Sequence, residues 1–435
     1  MSLHQTFFYR PLLCCMSVFS ILAPATAAAE MPSWQEETLS GDWGGARAKL
    51  FEKGITLDST HRSDVMGNLD GGTQRGSSWL GYTDIRGGFD LEKLYGWSGT
   101  EAYIQFHSTL GGKPNEQYVG SSMGVDNIEV GANTAQFYHA WVQKTLLDER
   151  LSVLVGLYPV DSEFYVTDTS GLFLHPSLGM AAEVAQSGSN GPPVYPLGSL
   201  GMRVKYTSSD HTTYLQAALL DGVPGDPADP YGTHVKLNSG DGTFAIMEIG
   251  YTPLEAKGEP AAAGDTAQPE AEAFNKTAFG LWRYSNRFDD LSEVDAAGTA
   301  LQQASFGWYM LAERTLFTEA ANANNGLAGF LRFGSASADV HQSDWSASAG
   351  LRYRGLCAGR DDDIAGIVVT VSHASTKYRD VNLSAERETA IEATYRIQVK
   401  PWLGVQPLIQ RIIAPNMDPA VSDSTLLGAR LELFL

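Results

Sequence analysis

Beyond Gly54 the chain alternates apolar and polar residues with a period of two, the pattern of strands whose two faces meet different surroundings. In 78–91 the odd positions Trp79, Thr83, Ile85, Phe89 and Leu91 carry no charge, whereas the even ones include Tyr82, Asp84, Arg86 and Asp90. The split recurs in 100–110, where Ala102, Ile104 and Phe106 oppose Glu101, Tyr103, Gln105 and His107. In 200–207, Leu200, Met202, Val204 and Tyr206 oppose Arg203 and Lys205. It is cleanest in 388–400, with Thr389, Ile391, Ala393, Tyr395, Ile397 and Val399 against Glu388, Glu392, Arg396, Gln398 and Lys400. The terminal run sets Leu427, Ala429, Leu431, Leu433 and Leu435 against Arg430 and Glu432. Alternation over about ten residues outlasts the roughly 5–6 residues of an ordinary soluble strand. It matches the roughly 9–11 residues that a tilted strand needs to cross a bilayer.

About sixteen such segments are expected, starting near Ile55, Ser78, Thr100, Ala135, Leu151, Leu200, Thr212, Thr243, Lys276, Ser305, Gly326, Trp345, Ile364, Glu388, Leu403 and Thr425. The faces of 135–145 are ambiguous. An even strand number suits a single-chain outer-membrane barrel, so the fold class expected is all-β: a transmembrane antiparallel β-barrel of about sixteen strands with a short N-terminal helix. Short turns fall at 147–150 and 208–211, and long connections at 111–131, 160–199, 221–242 and 252–274. Long loops at one end and short turns at the other is the expected barrel pattern. The 160–199 connection is too long to be a passive link and is expected to fold into the lumen. The Ala/Pro/Glu-rich stretch 255–272 reads as a solvated excursion.

Residues 1–29 have Arg10, an apolar stretch from Leu12 to Leu22 and a small-residue end at Ala27–Ala29. This is the layout of a secretory signal and is too short for a membrane span. The domain reading is therefore signal peptide 1–29, N-terminal periplasmic helical segment 30–54 and barrel 55–435. In the second of these, Ser40 or Asp42 is positioned to cap a helix over 46–53, with Gly54 past its end.

Composition narrows the function. Thirty Lys and Arg against fifty Asp and Glu give a net charge of −20, which argues against nucleic acid. Cys14 and Cys15 fall in the signal, and Cys357 alone gives neither a disulfide framework nor a cysteine zinc site; it is expected as a small buried or wall residue. No nucleophile, metalloprotease or phosphate-loop motif is present. Neither an enzyme nor a cofactor or metal site is expected. Asp361-Asp362-Asp363 lacks the spaced ligands of a calcium loop and reads as a solvated turn.

Specific residues carry a family resemblance. The run Leu39-Ser40-Gly41-Asp42-Trp43-Gly44-Gly45-Ala46-Arg47, followed by Glu52-Lys53-Gly54-Ile55, resembles the N-terminal signature of the OprB carbohydrate-selective porins. Asp90-Leu91-Glu92-Lys93-Leu94 with Gly96-Trp97 is similar to the family's second hairpin. Pro401-Trp402, Gln406-Pro407, Gln410, Pro415 and Leu427-Gly428-Ala429-Arg430-Leu431 continue the likeness. The resemblance implies an outer-membrane porin whose partners are small-molecule sugars, outer-membrane lipid and two further copies in a homotrimer, and facilitated diffusion of monosaccharides and similar small neutral solutes. Two rivals remain: a general or weakly cation-selective porin, and a secreted β-rich carbohydrate-binding protein or hydrolase.

A sugar channel needs wall groups that replace hydroxyl hydration and aromatic faces for the C–H side of the ring, with binding weak enough for release. Inward candidates are Asp84, Arg86, Glu101, His107, Arg203, Lys205, Glu248, Arg352, Arg354, Glu388, Glu392, Arg396 and Arg430. The residues favoured for substrate contact are Arg86, Glu101, His107, Asp161, Glu163, Arg203 and Lys205. Trp141 is the stacking candidate or, equally, a member of the interface belt. His139 reads as a satisfied wall residue. For any single lumen charge, wall solvation or an ion-pair brace is the commoner role.

Overall fold

The computed structural model describes residues 32–253 and 274–435. Residues 1–29, read from sequence as a signal and containing Cys14 and Cys15, and the 255–272 stretch lie outside the described residues.

Sixteen strands form one closed barrel. They are β1 (Ile55–Gly72), β2 (Gly76–Asp90), β3 (Thr100–Gly111), β4 (Ala135–Leu146), β5 (Leu151–Tyr158), β6 (Ser199–Thr207), β7 (Thr213–Asp221), β8 (Thr243–Tyr251), β9 (Asn275–Val294), β10 (Ala300–Glu319), β11 (Asn322–Ala336), β12 (Ser343–Arg354), β13 (Ile364–Ala374), β14 (Arg387–Lys400), β15 (Leu403–Ile413) and β16 (Ser422–Phe434). Every strand pairs antiparallel with its sequence neighbours, and β1 closes on β16. Closure removes the free edges that a sheet cannot carry into lipid. The largest offsets from expectation are β10 and β11, expected from Ser305 and Gly326 and observed from Ala300 and Asn322. Their extra residues include Gln302, Gln303 and Asn324, which do not alternate and so left no periodic signal.

The alternation sorts as expected. Ile85, Leu331, Ile367 and Leu427 point outward and are exposed, while their chain neighbours Asp84, Arg332, Val368 and Leu426 point inward and are buried. Outward rings form a continuous band across five strands: Phe279 and Trp308 lie 6.1 Å apart, Trp308 and Phe333 5.5 Å, Phe333 and Trp345 5.9 Å, and Trp345 and His373 4.8 Å. Such a girdle belongs at a bilayer–water interface. Ile409, outward and midway along β15, should therefore tolerate charge badly. Ile409→Arg is expected to cost roughly 2–4 kcal/mol in vesicle unfolding titrations, whereas Ile397→Arg, near the β14 end at Lys400, should cost about 0–1 kcal/mol. Equal costs would mean that the outward face meets no depth-dependent apolar phase.

The described N-terminal segment and the C-terminus lie at one end. The helix Ala46–Glu52 sits there, and Arg47, buried, donates from Nη2 to the Leu435 carbonyl at 2.8 Å. Leu39 N–H donates to the Phe434 carbonyl at 2.7 Å. The helix start differs from expectation. Gly45, with φ +85°, occupies the N-cap. Ser40 instead accepts the Trp43 indole N–H at 3.0 Å. Asp42 reaches only the Ala48 N–H, at 3.4 Å. Gly54, with φ +90°, does follow the helix end.

Strand parity puts three of the four long connections, those after β3, β5 and β7, at the far end. The fourth, after β8, begins and ends at the terminal end, so length does not segregate fully by side. Cys357, in the terminal-end turn after β12, is exposed; this corrects the expected buried or wall position. The same turn is braced by Arg360, whose guanidinium pairs with Asp363 at 2.7 Å, and by Arg354, which pairs with Asp362 at 2.8 Å.

Candidate functional site

Two far-end connections enter the barrel. Residues 159–198 cross the lumen, and residues 112–134 fold beside them. Neither forms long regular structure, so their peptide N–H groups need acceptors once buried. Inward glutamates of the wall supply them. Glu392 on β14 accepts the Leu174 and His175 N–H groups, both at 2.9 Å, and the Gln410 side-chain amide at 2.9 Å. Glu313 on β10 accepts the Thr169 N–H at 2.9 Å and its hydroxyl at 2.8 Å. Glu248 on β8 accepts the Tyr165 N–H at 3.0 Å and the hydroxyls of Tyr214 and Tyr309 at 2.6 Å. Glu388 holds the other loop through the Ser122 N–H at 3.0 Å and hydroxyl at 2.6 Å. Loop carbonyls are met as well, by Gln406 on Leu172 at 2.7 Å and by Gln410 on Val125 at 2.9 Å. Tyr165 stacks on Tyr309 with ring centroids 4.1 Å apart. Glu248, Glu388 and Glu392, read from sequence as possible sugar contacts, are thus occupied as loop tethers, a role the alternation could not distinguish.

The sequence-selected residues fall into three groups. Glu101, Arg203 and Glu163 form one chain with Gln143. Arg203 holds Glu163 through two donors, at 2.7 and 2.9 Å, and also donates to Gln143. The Gln143 amide donates to Glu101 at 2.6 Å, and the Tyr158 hydroxyl to Glu163 at 2.6 Å. Burial pushes the Glu163 carboxyl up, but Arg203 and Lys205 beside it outweigh burial and leave it below its ordinary value. Lys205 sits over the Tyr214 ring at 5.1 Å. Trp141 faces inward, not into the interface belt; it stacks on Tyr103 at 5.3 Å. Trp141 is buried and Tyr103 half-buried, so Tyr103 presents the accessible ring and Trp141 backs it.

The second group is a buried brace. Asp161 accepts the Tyr138 hydroxyl at 2.8 Å and the Tyr195 N–H at 2.9 Å. His107, fully buried, packs among the rings of Tyr82, Tyr138 and Tyr195, with centroids 5.4 to 5.6 Å away. Asp161 is half-buried and already holds two donors, whereas His107 does not reach the lumen surface as a sugar ligand would, which corrects its reading. His139 is likewise buried and accepts the Trp141 indole N–H at 3.2 Å. The third group is Arg86 alone on β2. It donates to the Thr60 hydroxyl at 2.6 Å and lies 3.4 Å from Asp84, with its side chain 20% exposed.

Burial pushes Asp161 up to about 6. Its folded value lies above the ordinary one of about 3.9. Protonation therefore favours the folded loop, and the destabilisation present at neutral pH is relieved as pH falls through about 6 toward 4. Unfolding midpoints against pH should carry this contribution in the natural protein and lack it in Asp161→Asn. Parallel profiles would remove Asp161 as its source.

Sequence reasoning missed Gln143, Tyr103 and the tethering amides Gln406 and Gln410. Gln143, and the side on which Trp141 lies, were hidden by a bulge: between the pairs Gln105–His139 and Phe106–Phe137 the register shifts, and Tyr138 and His139 are both buried. The bulge changes the phase of β4, so period-two counting could not assign its faces. Among the described residues no group of three His, Cys, Asp or Glu is gathered where a metal ion could sit.

The family described as "Carbohydrate-selective porin, OprB family" matches residues 75–433. Porin B of Pseudomonas aeruginosa is 23% identical over 450 residues, covering 94% of each chain. The putative porin QuiX of Acinetobacter baylyi is 21% identical, covering 94% of this chain and 95% of that one. The high-pH structure of Pseudomonas putida OprB superposes with a TM-score of 0.80 at 19% identity, covering 93% of this chain and all of that one.

Proposed function

The chain belongs to the OprB family of carbohydrate-selective porins, and on that premise we propose that monosaccharides and similar small neutral solutes cross it past the Tyr103 ring and the polar chain Glu101–Gln143–Arg203. The protein is an outer-membrane transport channel, not an enzyme. The rival reading as a secreted hydrolase or binding protein therefore falls. The terminal end faces the periplasm and the far end the exterior, as barrels of this class insert.

One observation carries the proposal. An inward aromatic ring, Tyr103 backed by Trp141, stands beside a carboxylate, an amide and a guanidinium already linked to one another. The ring suits the C–H face of a sugar, and the half-buried Glu101 and Gln143 suit its hydroxyls, while Arg203, itself buried, positions Gln143 rather than contacting the solute. Lys205 beside Arg203 on β6, and Arg86, Lys276 and Arg396 on other strands, add partly exposed inward cations. Their mixture with carboxylates favours polar neutral solutes over one sign of ion, which supports the sugar reading above the cation-selective one.

Liposome swelling with glucose, against an amino acid of equal size, tests the reading. Glucose should enter faster, and Arg86→Ala and Tyr103→Ala should lower that preference more than they change conductance. Equal rates for both solutes in the natural protein would leave a general porin. A homotrimer belongs to the same proposal. It predicts an oligomer in detergent that collapses to the single chain on boiling; migration as one chain throughout would remove it.

A further inference from the structure

Outside the lumen, the lipid-facing wall of β10–β14 holds a groove of about 570 Å³. That lies within the roughly 300–1,000 Å³ of ligand clefts. Gly329 and Ala349 line its low part, and Leu331, Leu351, Ile367 and Val369 its flanks. The cause is local. On the outward face of neighbouring strands, register places Gly329 beside Leu351 and Ala349 beside Leu331 and Val369. Small residues thus sit between large ones. A side chain at Gly329 would meet the tips of Leu351 at 3.0 Å and Leu316 at 3.3 Å.

One charged residue lines this apolar groove from the outward face. Arg314 is exposed and has no protein partner among the described residues. It pairs across β10–β9 with Asn275, the first residue of β9. It therefore stands where β9 leaves the wall on the periplasmic side, five residues before β10 itself ends at Glu319. A guanidinium there needs an anion, and its fork of donors matches a phosphate.

We propose that the groove is a binding site for one phospholipid of the periplasmic leaflet, with an acyl chain along Gly329 and Ala349 and the phosphate on Arg314. Two features favour this occupant over a second copy of the chain. The groove opens onto hydrocarbon, and the outward charge that lines it among the described residues, Arg314, lies toward its periplasmic side. A protein partner would need to bring a carboxylate to that depth.

The test uses the full barrel reconstituted in vesicles of phosphatidylethanolamine and phosphatidylglycerol, released into mild detergent and weighed by native mass spectrometry. The natural protein should retain one phospholipid under activation that strips the rest. Arg314→Ala and Ala349→Phe should each weaken retention about tenfold, the scale of one hydrogen bond to a charged group. Arg283→Ala, outward toward the far end, should leave it unchanged. Arg314→Lys keeps the charge without the fork and should fall between, so the Arg314 series decides even where Ala349→Phe fails to fold. Equal retention in all variants overturns the site. An oligomer that Ala349→Phe dissociates while bound lipid stays constant also overturns it, because the groove would then seat a second copy.

Discussion

Glu392→Ala is expected to widen the channel while leaving the barrel folded. The Glu392 carboxylate is the acceptor for two consecutive peptide N–H groups of the inner loop, at Leu174 and His175, and for the Gln410 amide. Alanine removes all three bonds and offers no replacement. Two peptide donors losing a charged acceptor cost roughly 3 kcal/mol together. That is about a hundredfold in the ratio of tethered to lifted loop. Glu313 and Glu248 still hold Thr169 and Tyr165, so the loop should lift locally around 172–176 and remain in the lumen. Single-channel records should gain larger or fluctuating conductance, and liposome swelling should admit sugars that the natural protein excludes. Glu392→Gln retains one acceptor oxygen and should give a smaller effect. Unchanged conductance and size limit in Glu392→Ala would show that the loop is positioned by its apolar contacts, such as Phe173 against Phe330 at 6.2 Å.

The same residue shows where the sequence was readable and where it stopped. Glu392 was legible as inward because Ile391 and Ala393 flank it on an uncharged face. Its job was not, because a carboxylate that tethers a loop alternates in the same way as one that faces water. Strand order, number and inward faces follow from local alternation, since each strand meets lipid on one side and lumen on the other along its whole length. Contacts between the 159–198 loop and β14 span more than two hundred residues and carry no periodic signal. Phase was lost wherever the ladder was irregular. At the β3–β4 bulge it concealed Gln143 and the side on which Trp141 lies. The family resemblance supplied the sugar; the alternation alone supplied a polar-lined barrel. Cys357 was misplaced because residue type predicts burial only on average, and the turn after β12 is built from aspartate–arginine pairs that keep it at the surface.

Arg430→Met should be among the most destabilising single changes in the barrel, because Arg430 braces the seam where β16 meets β1. Asp64 and Arg430 are direct cross-strand partners, and so are Arg62 and Glu432. Arg430 grips Asp64 through donors at 2.6 to 3.0 Å, and Arg62 holds Glu432 at 2.8 Å. All four are buried. Their order gives the register a sign. A two-residue slip in one direction sets Arg62 opposite Arg430, and in the other sets Asp64 opposite Glu432. Each slip that preserves the inward face thus meets a like-charge pair, while odd slips expose the inward set to lipid. Removing Arg430 leaves buried Asp64 without its cation, a loss of about 3–5 kcal/mol. It also frees the loop at Asn127, to which Arg430 donates at 2.6 Å. Asp126, which burial and the neighbouring Asp64 charge push well above the usual carboxylate range, adds little ionic cost of its own. Asp64→Leu in the Arg430→Met background should recover most of the stability, since well-packed apolar replacement of a buried pair is often neutral. It should not recover assembly, because both register penalties depend on the deleted charges. Urea titrations in vesicles read the first effect, and the rate of heat-shifted band formation reads the second. A double variant that assembles at the natural rate would mean that the closing register is set by the apolar face alone.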